Sequence, residues 1–130
     1  MDYKGVKYSV YPEWSAVASV AYHDSASSDI EYILHVNAFT ELIGFIKPEN
    51  VIVDHRLASR PSQLHLDFYE SRIFKDMFDY GVKRIFFILT EEELAYAQER
   101  KSERLANVYA CASIDEIFNI LEKKGRTTFN

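Results

Sequence analysis

Val51-Ile52-Val53-Asp54 is the stretch on which the reading of this chain turns. Consecutive β-branched residues with no polar alternation suit a strand covered on both faces, and such strands belong to parallel sheets packed between helices. The run ends in an acidic residue, placed where a central strand meets its loop. Further on, Arg84-Ile85-Phe86-Phe87-Ile88-Leu89 has the same unbroken apolar character. Between the two runs lie a polar loop from His55 to Ser62 and a segment in which Leu66, Phe68, Tyr69, Ile73, Phe74, Met77, Phe78 and Tyr80 recur at helical spacing, with Gly81 placed as its C′ residue. Strand, helix and strand make a βαβ unit, whose crossover is right-handed in nearly all known sheets.

Upstream of this unit, Tyr8-Ser9-Val10-Tyr11 and Ala16 to Tyr22 read as two strands around Pro12-Glu13-Trp14-Ser15, an antiparallel hairpin with a Pro-containing turn. Ser28-Asp29-Ile30-Glu31 matches a capping box, so a helix is predicted from Asp29 to about Ile46, apolar at Ile30, Ile33, Leu34, Leu42, Phe45 and Ile46 and stopped by Pro48. Downstream, Thr90-Glu91-Glu92-Glu93 opens a helix expected to reach about Glu103, with Arg100, Lys101 and Arg104 toward its negative end. Asn107 to Cys111 is a short last strand, and Ser113-Ile114-Asp115-Glu116 is a third capping box, starting a helix that Gly125 would end. The tail from Arg126 to Asn130 reads as loose. The predicted order is β-β-α-β-α-β-α-β-α, an α/β fold in which an N-terminal hairpin feeds a mostly parallel sheet covered by about four helices.

At 130 residues the chain suits one domain over 1–130, with its core at about 8–124. Its 48% hydrophobic and 27% charged residues fit neither a disordered chain nor a membrane protein. A net charge of −5 argues against nucleic acid as a partner, because that affinity comes from Lys and Arg displacing counterions. Cys111 is the one cysteine, which leaves no internal disulfide and no thiolate metal cluster and suits a reducing compartment. Residues 1–5 lack a secretory h-region and no stretch approaches the ~20 apolar residues of a membrane span, so a cytoplasmic location without a membrane span is expected.

The order of elements resembles that of STAS-like, or SpoIIAA-like, anti-sigma-factor-antagonist domains over roughly Tyr8 to Lys124. The resemblance is carried by Val51-Ile52-Val53-Asp54, similar to the family's central strand with its terminal acid, and by Tyr109-Ala110-Cys111-Ala112-Ser113-Ile114-Asp115-Glu116-Ile117-Phe118, similar to its last strand and helix start. The resemblance implies a module that binds a partner kinase and is switched by phosphorylation at the start of the helix after the central strand. Lipid-transfer-like relatives further imply apolar ligands or membranes. The antagonist motif there is Asp-Ser/Thr-Ser/Thr-Gly. This chain has Leu57-Ala58-Ser59-Arg60-Pro61-Ser62-Gln63-Leu64, so Ser59 or Ser62 stands near the modified position.

Ligands of open α/β sheets gather outside the carboxyl ends of the strands, where helix N-termini point outward. The candidate binding rim is therefore Asp54, His55, Arg56, Arg60 and Thr90, with Ser59, Ser62 and Glu91 beside it. One reading makes Arg56 and Arg60 an anion clamp, with Asp54 and His55 available for hydrogen bonding or proton transfer. The plainer reading pairs Asp54 with Arg56 as a structural ion pair. His23, His35, His55 and His65 lack metal-ligand spacing, and Cys111 and the serines lack the neighbours of a nucleophile. Only four glycines occur, none clustered, so no nucleotide loop, metal or cofactor is expected. The rings of Phe68, Tyr69, Phe74, Phe78 and Tyr80 could line an apolar cavity or pack on the sheet. An exposed turn around Trp14 could be an interaction point or pack on its own strands. Glu91, Glu92 and Glu93 complement the positive helix end. The expected function is a non-catalytic regulatory or protein-interaction module with a protein partner, with homodimerisation left open. The alternatives are a carrier of a small apolar or lipid-like ligand, and a small enzyme using Asp54, His55 and Arg56.

Overall fold

The computed structural model describes residues 2–3, 6–21, 29–54, 56, 72–99 and 107–124. The strands are β1 (Asp2–Tyr3), β2 (Val6–Tyr11), β3 (Ala16–Ala21), β4 (Asn50–Asp54), β5 (Arg84–Ile88) and β6 (Val108–Cys111). The helices are α1 (Asp29–Ile46), α2 (residues 72–79 of the described chain), α3 (Glu91–Glu99) and α4 (Ile114–Lys124). Strands lie in sequence order in a single six-stranded sheet. β1, β2 and β3 are antiparallel neighbours, while β3, β4, β5 and β6 all run parallel. The predicted hairpin and the parallel pair β4–β5 are both present, with Val51 opposite Ile85 and Val53 opposite Phe87.

Period-two alternation divides the interior between the two faces of the sheet. Val17, Val51 and Ile85 point into one core with Tyr8, Phe39 and Ile43, and with Ile73 and Met77 from α2. Ala18, Ile52 and Phe86 point into the other, with Ile117 and Leu121 of α4. β4 and β5 are thus covered on both sides, which is why their sequences carry no polar alternation. Helices α1 and α2 join successive pairs of parallel strands and lie on one face, as two crossovers of the same hand must when strand order follows the sequence.

Helix ends follow their local chemistry. After α2, Gly81 takes φ of 101°, its N–H donates to the Phe78 carbonyl at 3.0 Å, and the Val82 N–H donates to the Met77 carbonyl at 3.1 Å. This is a complete Schellman end, closed by Val82 and Met77 in the same core. At the end of α1, Lys47 adopts φ of 56° and donates to Ile43 O at 2.7 Å, and buried Pro48 prevents continuation. The Ser28 side of the first capping box, the helix beyond Glu99, Gly125 and the tail lie outside the described residues.

In three places the structure departs from the sequence pattern. β1 has no counterpart among the predicted strands, because two residues are too few to show a period. The inner face of α1 is carried by Val36, Phe39, Leu42, Ile43 and Ile46, while Phe45 is 88% exposed and Leu34 is also exposed. The helix is apolar around much of its circumference, so spacing alone could not choose the buried stripe. Trp14 is no exposed contact point, being only 8% accessible and stacked on Phe118 of α4 at 5.4 Å. The Pro-containing turn of the hairpin is present as read, as a short 3-10 turn, Pro12–Trp14, closed by Ser15 in left-handed conformation.

Beneath the sheet, a hydrogen-bonded clasp ties the starts of the parallel strands together. The N–H groups of Glu49 and Asn50 donate to Ser15 O, and those of Lys83 and Arg84 donate to Glu49 O. Buried Asn50 donates through Nδ2 to Trp14 O at 2.7 Å and accepts at Oδ1 from Arg84 Nη1 at 3.1 Å. Lys83 Nζ adds an ion pair to Glu49 Oε1 at 2.8 Å. These bonds set the strands level, so their carboxyl ends emerge together at the opposite edge.

Candidate functional site at the carboxyl ends of the strands

At this edge β4 delivers Asp54, β5 leads into Thr90 and β6 leads into Ser113. Asp54 ends the central strand, and its carboxylate is 12% exposed beside an Arg56 side chain that is 42% exposed. The guanidinium meets the carboxylate as a two-point fork: Nε donates to Oδ1 at 2.8 Å and Nη2 to Oδ2 at 2.9 Å. The hydrogen bonds that Arg56 donates to Asp54 raise the Arg56 pKa above its ordinary value, and the opposite charge adds to this against partial burial. Because the pair faces solvent, screening limits its stabilisation to about 0–1 kcal/mol. Two of the guanidinium nitrogens are held on Asp54, so the plainer ion-pair reading describes what the geometry contains.

Thr90 is the N-cap of α3. Its backbone N–H and hydroxyl both donate to Glu93 Oε1 at 3.1 Å, and its Oγ1 accepts from the Glu93 N–H at 3.2 Å. Ser113 caps α4, its Oγ accepting from the Glu116 N–H at 3.2 Å, while Glu116 Oε2 accepts from the N–H of the preceding Ala112 at 2.8 Å. Of the three capping boxes read from the sequence, the two at Thr90 and Ser113 lie among the described residues, and at each the Ser or Thr hydroxyl accepts the N–H three residues on. Replacing Ser113 with alanine is expected to destabilise the protein by about 1 kcal/mol, since it caps the helix whose Ile117 and Leu121 pack on Ile52 and Phe86 of the sheet. A thermal or urea midpoint unchanged by that replacement would show that the cap contributes nothing.

The structure therefore brings Asp54, Arg56 and Thr90 to one edge, with Glu91 and Asp115 at the helix starts beside them. His55, Ser59, Arg60 and Ser62, as well as His23, His65, Phe68 and Tyr69, lie outside the described residues. His35 falls within α1, but its side chain is likewise outside them. Among the described residues no three His, Cys, Asp or Glu side chains are grouped to hold a metal ion. Cys111 is buried in β6, in accordance with its reading as a small hydrophobe. Of the aromatic stripe, Phe74 and Phe78 pack against the core and Phe74 meets Phe87 edge-on at 5.8 Å. Tyr80 lies over Gly44, where an added Cβ would come within 3.0 Å of its ring. Where this stripe is described, it packs on the sheet and on α1.

One feature of the surface had no signal in the sequence. A cavity of about 170 Å³ between α1 and α2 is lined by Asn37, Thr40, Arg72, Ile73 and Asp76. It depends on how the two helices lie against each other, which periodicity does not encode. No described helix is long and apolar enough to cross a membrane.

No protein-family model matches the chain, and neither a curated protein nor a solved structure matches it. The functional reading accordingly rests on residues and geometry.

Proposed function

We propose that the protein is a non-catalytic regulatory or protein-interaction module, of the kind its element order resembles among STAS-like domains, and that it engages a protein partner at the carboxyl edge of its parallel strands. The observation that carries this reading is the state of that edge. Asp54 and Arg56 hold each other, while Thr90 and Ser113 are used up in capping their own helices. Such groups present a fixed pattern of charge and shape for a partner to dock against, and specificity and association rate are what surface charge patterns chiefly supply. The modification carried by the resemblance belongs to Ser59 or Ser62, in the stretch that follows this edge.

The test starts with tagged protein expressed in its native host and cross-linked there, in wild-type form and as Arg56→Glu. Any protein recovered by the wild type is then purified and titrated against both forms. The charge reversal places two carboxylates side by side at the rim, and binding is expected to weaken at least about tenfold, or ~1.4 kcal/mol, with the circular dichroism of the domain unchanged. Equal affinity for both forms would remove the rim from the interaction, and recovery of no partner would count against the module itself. Intact-mass and phosphopeptide measurements on the same material test the switch, which unmodified Ser59 and Ser62 under all growth conditions would eliminate.

A further inference from the structure

Helix α3 differs from the other helices in how little it gives to the interior. Phe39 and Ile43 of α1, Ile73 and Met77 of α2, and Ile117 and Leu121 of α4 are all buried in one core or the other. In α3, Glu91–Glu99, no residue is buried, and among the described residues neither core includes or adjoins a side chain from it. Its inward side chains, Leu94 and Ala97, are only half-buried, and its contact with the sheet is made mainly to the edge strand β6. Its start is secured locally, by the Thr90–Glu93 capping box and by the helix's own backbone bonds, beginning with Leu94 N–H to Thr90 O at 2.8 Å. Isolated helices are marginal in water, and most helical stability in proteins comes from a packed apolar face. Among its described residues, that face is what α3 lacks.

We propose that α3 is a separately opening unit, unfolding locally while the sheet and the other helices stay intact. Regions with few buried apolar contacts open at free energies well below that of global unfolding. β6 would keep its place during such an event, because it is paired to β5 on one side and packed on α4 through Cys111. Opening would take the Thr90 corner away from the carboxyl edge and bare the side of β6 that α3 touches. The device is a property of the packing and stands whether or not the edge binds a partner.

Native-state hydrogen exchange followed by mass spectrometry tests it directly on the full chain. Amides of α3 from Leu94 onward are expected to be at least about 100-fold less protected than those of β4 and β5, with exchange insensitive to low denaturant. Leu94→Ala should speed exchange in α3 and shift the melting temperature by less than about 2 °C. Ala95→Lys, which adds an i,i+4 partner for Glu91 on the exposed side, should slow exchange in α3 about twofold and leave β4 and β5 unchanged. Protection of α3 equal to that of β4 and β5, with the same denaturant dependence, would overturn the proposal. So would a fall of many degrees in melting temperature for Leu94→Ala.

Discussion

Phe86→Ala is expected to remove about 3–5 kcal/mol of stability. Phe86 is fully buried in β5, with its ring stacked on Tyr109 at 4.9 Å and 18°. It shares its core with Ile52 from the adjacent strand and with Ile117 and Leu121 from α4. Truncation loses the transfer free energy of the ring and leaves a cavity between a hydrogen-bonded sheet and a helix that cannot close over it. A domain of this size has only about 5–15 kcal/mol in total, so the change takes a large share of it. Phe45→Ala is the matched control, because that ring is 88% exposed, and it should move stability by no more than about 0.5 kcal/mol. Urea titrations of the two variants supply the comparison. A loss below about 1 kcal/mol for Phe86→Ala would mean that α4 does not cover this face of the sheet.

The second large effect is expected at Asn50, a residue that the sequence gives no reason to single out. Asn50→Ala should cost about 2–3 kcal/mol, the penalty of taking a hydrogen-bond partner from a buried acceptor together with a weaker bond to a charged group. The residue is 1% exposed and its side chain spans two elements, donating to Trp14 O at 2.7 Å and accepting from Arg84 at 3.1 Å. Alanine supplies neither group, and at 1% exposure the site is shielded from the bulk water that could replace them. Arg84→Met keeps the aliphatic stem and removes only the bond to Oδ1. As Arg84 is only partly buried, it should cost less than Asn50→Ala. If Asn50→Ala proved neutral within about 0.5 kcal/mol, the clasp would not be holding the strand starts level.

Much of the architecture is legible in linear order because it rests on short-range physics. Runs such as Val51–Val53 and Ile85–Ile88 announce strands buried on both faces. Thr90 with Glu93, and Ser113 with Glu116, mark helix starts through bonds that span three residues, and Gly81 marks a helix end through backbone that only glycine adopts freely. The misreadings share one cause. Phe45 and Phe39 both fit a helical period, and only the position of the sheet decides which one is buried. Trp14 stands in a polar turn, and only the arrival of α4 from the far end of the chain gives it Phe118 to stack on.

The candidate site divides in the same way. That acidic and basic residues follow the central strand is plain in the chain, and the fork between Asp54 and Arg56 needs only two residues of separation. That Thr90 and Ser113 arrive at the same edge as Asp54 follows from the parallel alignment of β4, β5 and β6, which brings together residues tens of positions apart. By itself, then, the amino-acid sequence determined the longer elements, the helix ends at Thr90, Ser113 and Gly81 and the doubly covered strands, since each depends on neighbours within a turn or two. Which faces meet, which rings are buried and how Asn50 joins Trp14 to Arg84 were decided only in the tertiary structure. Those outcomes depend on contacts between distant segments, and a local pattern does not specify which surface it will meet.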